Sequence, residues 1–161
     1  MAPAYAFHPM SRDHLPMIRR WLETREVVRW WGDPDEQYAL VNGDLDHPDM
    51  DQFIVAAGGQ PFGYIQCYAL STWNQSFGPQ PQATRGIDQF IGEPTMIGQG
   101  HGSSFIRQFA DDLLASGIPR IVTDPDPENV RAVRAYAKAG FERERVVDTP
   151  DGPALLMVRN P

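Results

Sequence analysis

Apolar and polar positions recur along this chain with two periods, near 2 and near 3.6, and the switches between them outline an alternating α/β unit. Residues 5–8 read as a first strand. Ser11 is placed to cap a helix running to about Glu23, broken or bent near Pro16, whose ring removes a backbone donor. A second short helix covers 27–31, and a third follows Pro34, with Asp33 as its cap. Residues 53–57 and 62–70 flank Gly58-Gly59-Gln60 as a hairpin. The stretch 71–83 is rich in Gly, Pro, Gln and Asn and is expected to be an exposed loop. Then come a strand at 84–91, a glycine loop, a helix carrying Phe105, Phe109 and Leu113, a strand at 120–123 and a helix at 128–139 ended by Gly140. A strand at 141–147, the turn Pro150-Asp151-Gly152 and a last strand at 154–159 complete the order. The pattern predicts a mixed sheet with helices on both faces, in a single domain over residues 1–161 with no linker or repeat.

Composition narrows this to a compact chain that favours cationic partners. A domain of 161 residues buries about 70% of the surface its unfolded form exposes. The single Cys67 has no partner for an internal disulfide and reads as a buried strand thiol. Met1-Ala2-Pro3-Ala4-Tyr5 lacks the basic patch and apolar run of a signal peptide, and no apolar stretch approaches membrane-spanning length, so the expected location is cytoplasmic. The net charge of −7 argues against a nucleic-acid surface and suits a small cationic ligand.

Gly98, Gly100 and Gly102 alternate with Gln99 and His101 just before Ser103, where the helical period begins. Such a loop lets the backbone approach a ligand closely, and the unpaired amides of a helix start attract an anion. The loop has no Gly-Lys-Ser/Thr, so it is not a Walker loop. Asp124 lies near the spacing of a ribose-binding acid, but Pro125-Asp126-Pro127 follows it as a turn, so a dinucleotide fingerprint does not fit either. A different phosphorylated cofactor is expected. Arg131, Arg134 and Lys138 share one helix face, as cofactor cations or as a solvated face.

The glycine loop, Asn129, Tyr136 and Lys138-Ala139-Gly140-Phe141 together resemble the GCN5-related N-acetyltransferases (GNAT). Within them, Arg85-Gly86-Ile87-Asp88-Gln89, Thr123-Asp124-Pro125, Arg131-Ala132-Val133-Arg134 and Thr149-Pro150-Asp151-Gly152-Pro153-Ala154 look closest to the aminoglycoside 6′-N-acetyltransferases, as does Trp30-Trp31-Gly32. The resemblance implies a GNAT fold, a mixed and mostly antiparallel sheet whose two central parallel strands splay apart. It also implies acetyl-CoA as co-substrate, with its arm against the strand amides at Gln89, Phe90 and Ile91. Its phosphates would meet the segment Ile97, Gly98, Gln99, Gly100, His101, Gly102 and Ser103, with Asn129 and Lys138 nearby. Ile97 stands where the wider family has Gln or Arg.

An amine of pKa near 10 is almost fully protonated at neutral pH, so the enzyme must bind a cation and remove a proton. Asp88, alternating with Ile87, is the candidate anchor and base; the bland alternative pairs it with Arg85. The resemblance places the Tyr136 hydroxyl near the departing thiolate, although Tyr136 with Val133 and Ala137 also reads as a packing face. Asn129 could cap its helix or bind the cofactor.

For the amine itself, Trp31, Asp33, Asp35, Glu36, Tyr38, Asp88, Asp124 and Asp151 offer carboxylates and aromatic walls; Trp31, Asp88, Asp124 and Asp151 are the chosen set. The run Asp44-Leu45-Asp46-His47-Pro48-Asp49-Met50-Asp51 lacks the glycine and terminal glutamate of a calcium loop, so no metal is expected there and the run reads as a solvated acidic loop. Residues 71–80 contain no acid, whereas counterparts in drug-modifying relatives tend to be acidic. Besides aminoglycoside acetylation, two functions stay open: acylation of a hydroxylysine-type amine, whose enzymes tend to have His at the position of Asp88, and non-catalytic binding of an acyl-CoA or a cationic drug.

Overall fold

The structure is a computed structural model that describes residues 4–73 and 76–161. Met1, Ala2 and Pro3 of the N-terminal segment and Asn74 and Gln75 of the acid-free loop lie outside the described residues. Seven strands form one sheet, in the order β1 (Ala6–Pro9), β2 (Met50–Ala57), β3 (Gln60–Ala69), β4 (Arg85–Ile91), β5 (Ile121–Thr123), β7 (Gly152–Arg159) and β6 (Glu142–Thr149). Every neighbouring pair is antiparallel except β4 and β5. Helices α1 (Leu15–Leu22), α2 (Arg25–Trp31) and α3 (Pro34–Asp44) cover one face; α5 (His101–Ala115) and α6 (Val130–Lys138) cover the other, and a single turn, α4 (Leu70–Trp73), follows β3.

The period-2 alternation of the strands divides the core. Val55, Phe62, Ile65, Cys67 and Ile87 pack with Phe105, Ile106, Val133 and Tyr136 on the α5/α6 side. On the opposite face Ile54, Tyr64 and Phe90 meet Ile18, Trp21 and Leu22 of α1, Val27 of α2 and Val41 of α3. Trp31 closes this second cluster edge-on to Phe90, at a centroid distance of 5.1 Å.

Local chemistry explains where the elements start. Pro16 falls in the first turn of α1, where its missing donor costs nothing, so the predicted break near it does not occur. Instead a 3₁₀ turn at Arg12–His14 precedes α1, and His14 Nδ1 accepts the Ser11 amide at 3.0 Å. Asp33 caps α3 by accepting the Glu36 amide at 3.0 Å, ahead of Pro34. The β2–β3 turn needs left-handed backbone at Gly58 and Gly59, with φ of 56° and 81°.

The expectation of an exposed loop over 71–83 holds for most of its described residues and is corrected at two places. Residues 70–73 are helical, and Phe77 is only 7% exposed, packed in a cluster with Tyr68, Leu70 and Trp73. A few apolar anchors outweigh the polar composition of the segment.

The feature that shapes the site is the short β4–β5 ladder. It joins only Arg85 to Ile121 and Gly86 to Val122. Beyond Thr123 the chain reaches Pro125, which has no N–H to continue a ladder, and whose carbonyl accepts from Leu155 of β7 at 2.8 Å. The path of β5 is thereby drawn toward β7 while β4 runs on to Ile91. Thr123 Oγ1 donates to the Ile87 carbonyl at 3.1 Å and closes the vertex of the gap. Among the described residues no helix is long and apolar enough to cross a membrane.

Just past β4, Gly92 lies against the fully buried Trp21: a Cβ there would sit 2.2 Å from the indole ring and 2.7 Å from the Trp21 Cβ. Gly92→Ala must therefore displace either the helix or the strand. The expected cost is about 1–3 kcal/mol, read as a lower midpoint in denaturant at unchanged m-value; wild-type stability in this variant would show that Trp21 can move freely.

Candidate active site

The gap between β4 and β5 opens on the α5/α6 side into a cleft of about 510 Å³. Antiparallel pairing with β3 alternates the backbone direction along β4, so Phe90 turns its polar groups to β3 while Gln89 and Ile91 turn theirs into the gap. Gln89, Phe90, Ile91, Ile97, Gly98, Gly100, His101, Gly102, Ser103, Asn129 and Lys138 all line this cleft. Gln99 does not; its side-chain amide donates to the Thr95 carbonyl.

The loop achieves its close approach through backbone geometry. Gly98 and Gly100 have φ of 77° and 84°, and no atom lies within 4 Å of where a Cβ would stand. The amides of His101, Gly102 and Ser103 precede the first intrahelical bond of α5, made by Ser104 to Gly100. The His101 side chain is turned away: its Nδ1 is 2.9 Å from the Tyr5 hydroxyl and its ring packs on Phe62. Arg131, Arg134 and Lys138 also border the cleft, as their shared helix face requires. Arg131 is held by Glu26 of α2 at 3.3 Å, an exposed pair worth little to stability. An open loop of amides, a row of cations and free strand polar groups fit an elongated anionic cofactor such as coenzyme A. Asn129 acts as a cap, its Oδ1 accepting the Ala132 amide at 3.2 Å, while it lines the cleft as well.

On the other side of Trp31 lie two connected lobes of about 340 and 400 Å³. Trp31, Gln37, Gln66, Tyr68, Asp88, Asp124 and Asp151 border both, and among the described residues no Lys, Arg or His lines either one. Asp88 is not paired with Arg85; its Oδ2 accepts from Gln66 Nε2 at 3.0 Å. Burial raises the proton affinity of Asp88, and the Gln66 bond partly offsets this. Asp124 is also pushed up, first by desolvation and then by the negative charges of Asp88 and Asp151. The two carboxyls thus compete for a proton unless a cation arrives.

Tyr136 takes the expected packing place on its helix face, and its hydroxyl reaches the strand gap. Its ring is buried against Phe141, with a centroid distance of 5.5 Å, beside Val133 and Ala139, whereas Ala137 is exposed. Its hydroxyl makes side-chain contacts with Thr123 and Gln89 at the vertex of the gap, and burial, above all, keeps it protonated.

Several sequence candidates go elsewhere. Asp33 caps α3, Asp35 pairs with Arg19 at 2.7 Å, Tyr38 lies under the Arg19 guanidinium, and Glu36 is exposed. The acidic run is divided among structural tasks: Asp46 pairs with Arg12, Asp49 accepts from Thr72, and the His47 ring packs tilted against Trp73, with centroids 4.8 Å apart. Of the acids in that run Asp44 borders a lobe, as does its neighbour in the run Met50. Gln66, Tyr68 and Gln37 escaped sequence reading; the available signal was a Gln inside the apolar run of β3.

A family model described as an acetyltransferase (GNAT) domain matches residues 11–149. The chain belongs to the GNAT acetyltransferase family. A curated relative from Klebsiella pneumoniae, an aminoglycoside N(6′)-acetyltransferase type 1, is 36% identical over 93% of this chain and 80% of its own length. A kanamycin resistance protein of Rhizobium radiobacter is 42% identical over 54% of the chain and 79% of the relative. Among solved structures, aminoglycoside acetyltransferase AAC(6′)-Ib in complex with coenzyme A and kanamycin superposes with a TM-score of 0.86 at 31% identity, covering 98% of this chain and 95% of that one. These likenesses bear out the expected GNAT fold, with its mixed, mostly antiparallel sheet and parallel central pair.

The raised carboxyls of this GNAT site predict a pH dependence of stability. Asp88 and Asp124 hold protons more tightly in the folded chain than in the unfolded one, where the carboxyl value is about 4. Their contribution is fully present below that value and is lost as pH rises through the raised native values. Asp124→Asn should accordingly raise the thermal midpoint by a few degrees at pH 8 and leave it nearly unchanged at pH 4, as followed by calorimetry. Equal shifts at both pH values would contradict the buried-charge origin.

Proposed function

We propose that this protein is an acetyl-CoA-dependent aminoglycoside 6′-N-acetyltransferase working by direct transfer in a ternary complex. The observation that carries the reading is the pair of lobes bordered by Asp88, Asp124 and Asp151 with no cationic side chain, opening on the same strand gap as the cofactor cleft. A site with that charge balance favours a substrate bearing several ammonium groups, and 36% identity to an aminoglycoside N(6′)-acetyltransferase supports the same choice. A monocationic hydroxylysine-type amine would leave carboxylates unmatched. We place the enzyme in the cytoplasm, in keeping with its one free, buried thiol, which desolvation pushes up to about 12 and renders inert as a nucleophile.

Acetyl-CoA supplies an activated acetyl thioester when bound. The backbone N–H groups of Gln89 and Ile91 orient it and are aimed to stabilise the negative charge that develops on its carbonyl oxygen. The amides of residues 101–103, with Arg131, Arg134 and Lys138, balance its phosphates. Asp88 holds the substrate ammonium and accepts its proton, with Asp124 and Asp151 anchoring further cations, while Trp31 walls the amine from solvent. Attraction by these carboxylates also raises the amine pKa, so deprotonation must coincide with close approach to the thioester. The Tyr136 phenol stays protonated and donates its proton to the departing thiolate, a transfer uphill by about 2 kcal/mol from ordinary pKa values.

Thiol release with kanamycin-like and tobramycin-like drugs, beside a lysine-derived hydroxamate precursor, tests the reading. The drugs should be acetylated and the lysine derivative should not. Acetylation of the lysine derivative alone would replace it with the siderophore-type activity, and acetyl-CoA binding without turnover of either amine would point to a binding module. Asp88→Asn should raise the amine KM and lower turnover roughly 10²- to 10⁴-fold while acetyl-CoA affinity stays close to wild type by calorimetry. In single-turnover experiments Tyr136→Phe should slow transfer by more than it weakens cofactor binding. A Tyr136→Phe rate equal to wild type would leave only its packing role.

A further inference from the structure

The register of the sheet aligns polar side chains across strands that are otherwise apolar. Gln52 of β2 stands opposite Gln66 of β3, which in turn stands opposite Asp88 of β4. Between the first two lies the hydroxyl of Tyr64, a residue with no exposed surface. Gln52 Nε2 donates to the Val41 carbonyl at 2.9 Å, and its side chain acts on the Tyr64 phenol, partly offsetting the effect of burial there. That hydroxyl donates to Gln66 Oε1 at 2.7 Å, and Gln66 Nε2 donates to Asp88 Oδ2 at 3.0 Å.

The direction of this chain is determined. Burial keeps the Tyr64 phenol protonated, so it can always donate onward. Reversing the Gln66 amide would set its oxygen against the Asp88 carboxylate and lose that bond, and would force the Tyr64 hydroxyl to turn from donor to acceptor. Every link therefore points toward Asp88. We propose that Gln66 is the positioning residue of the site: locked by Tyr64, it fixes Oδ2 of Asp88 and leaves Oδ1 to meet the substrate amine. The proposal rests on the reading of Asp88 as anchor and proton acceptor given above.

It also distinguishes the two neighbouring carboxyls. Asp88 and Asp124 border the same lobes, but only Asp88 has an amide donor from Gln66. The other titratable groups acting on Asp88 are Asp124 at the end of β5, Tyr64 and Tyr68 of β3 and Tyr136 of α6; Asp151 acts on Asp124, and Asp44 of α3 borders one lobe. None of them is a cation, so the Gln66 dipole is the main favourable partner of an ionised Asp88 before the amine binds. Asp88 is thereby the carboxyl favoured in its ionised form and able to receive the proton that leaves the ammonium, while Asp124 is the one favoured to be protonated already.

The test is the pH profile of kcat/KM for the amine in wild type, Gln66→Met and Tyr64→Phe. Gln66→Met keeps the length of the side chain and removes the donor, so the acidic limb should move up by about one pH unit, the equivalent of one hydrogen bond to a charged group. Turnover should fall while acetyl-CoA KM stays near wild type. Tyr64→Phe frees the amide to reverse and should shift the limb the same way by less. A purely structural role would lower stability without moving the limb. A Gln66→Met profile that overlays wild type overturns the positioning role and leaves the proposed activity standing. If wild type acetylates no amine, that activity fails instead, and the ¹³C carboxyl titration of Asp88 in wild type and Gln66→Met decides. An upward shift in the variant supports the relay, and coincident curves overturn it.

Discussion

The short β4–β5 ladder is the constraint on which the rest of the site depends. Backbone polar groups inside a sheet must be paired, and the parallel pairing here ends after Gly86 and Val122. Pro125 cannot extend it, and its carbonyl is taken by β7. The gap that results leaves Gln89 and Ile91 with polar groups facing a cavity. An unpaired edge of this kind is costly in an empty core and useful in a cleft, because the pairing it lacks can be supplied by a ligand. Thr123 limits the opening by bonding across its vertex.

The same opening separates two electrostatic environments. The chain carries a net charge of −7. Cations nevertheless border the cleft on the α6 side, while the lobes beyond Trp31 hold only carboxyls among their charged groups. Two spaces of opposite charge thus lie on either side of one sheet interruption, with Gln89 bordering the cleft and a lobe and Asp88 and Tyr136 beside it. This arrangement destabilises the empty protein locally, as the raised proton affinities of Asp88 and Asp124 show.

Periodic segments were legible in the sequence because strand and helix periods are local properties. The hairpin at Gly58-Gly59, the helix opened by the glycine loop and the last two strands follow from residue type alone. Within the largely exposed segment 71–83 the polar composition hid the two apolar anchors, Trp73 and Phe77, which pack through contacts distant in sequence. In the site, Asp88 stood out as an acid in an apolar strand. Gln66 did not, since its importance depends on the registers that place it beside Tyr64 and Asp88. Tyr136 shows a further limit: position on a helix face correctly signalled packing, but only the tertiary structure brings its hydroxyl to Thr123 and Gln89.

Helix α2 stands between the cleft and the two lobes. Glu26 and Trp30 border the cofactor cleft, and Trp31 borders that cleft and both amine lobes. One rigid element of seven residues is therefore a shared partition. Any shift of α2 that widens the lobes must also reshape the cleft, so the two spaces cannot be altered independently through this wall. The freedom to reshape a lobe alone lies in the opposite boundary, where α3, Trp73 and Phe77 line a lobe and not the cleft.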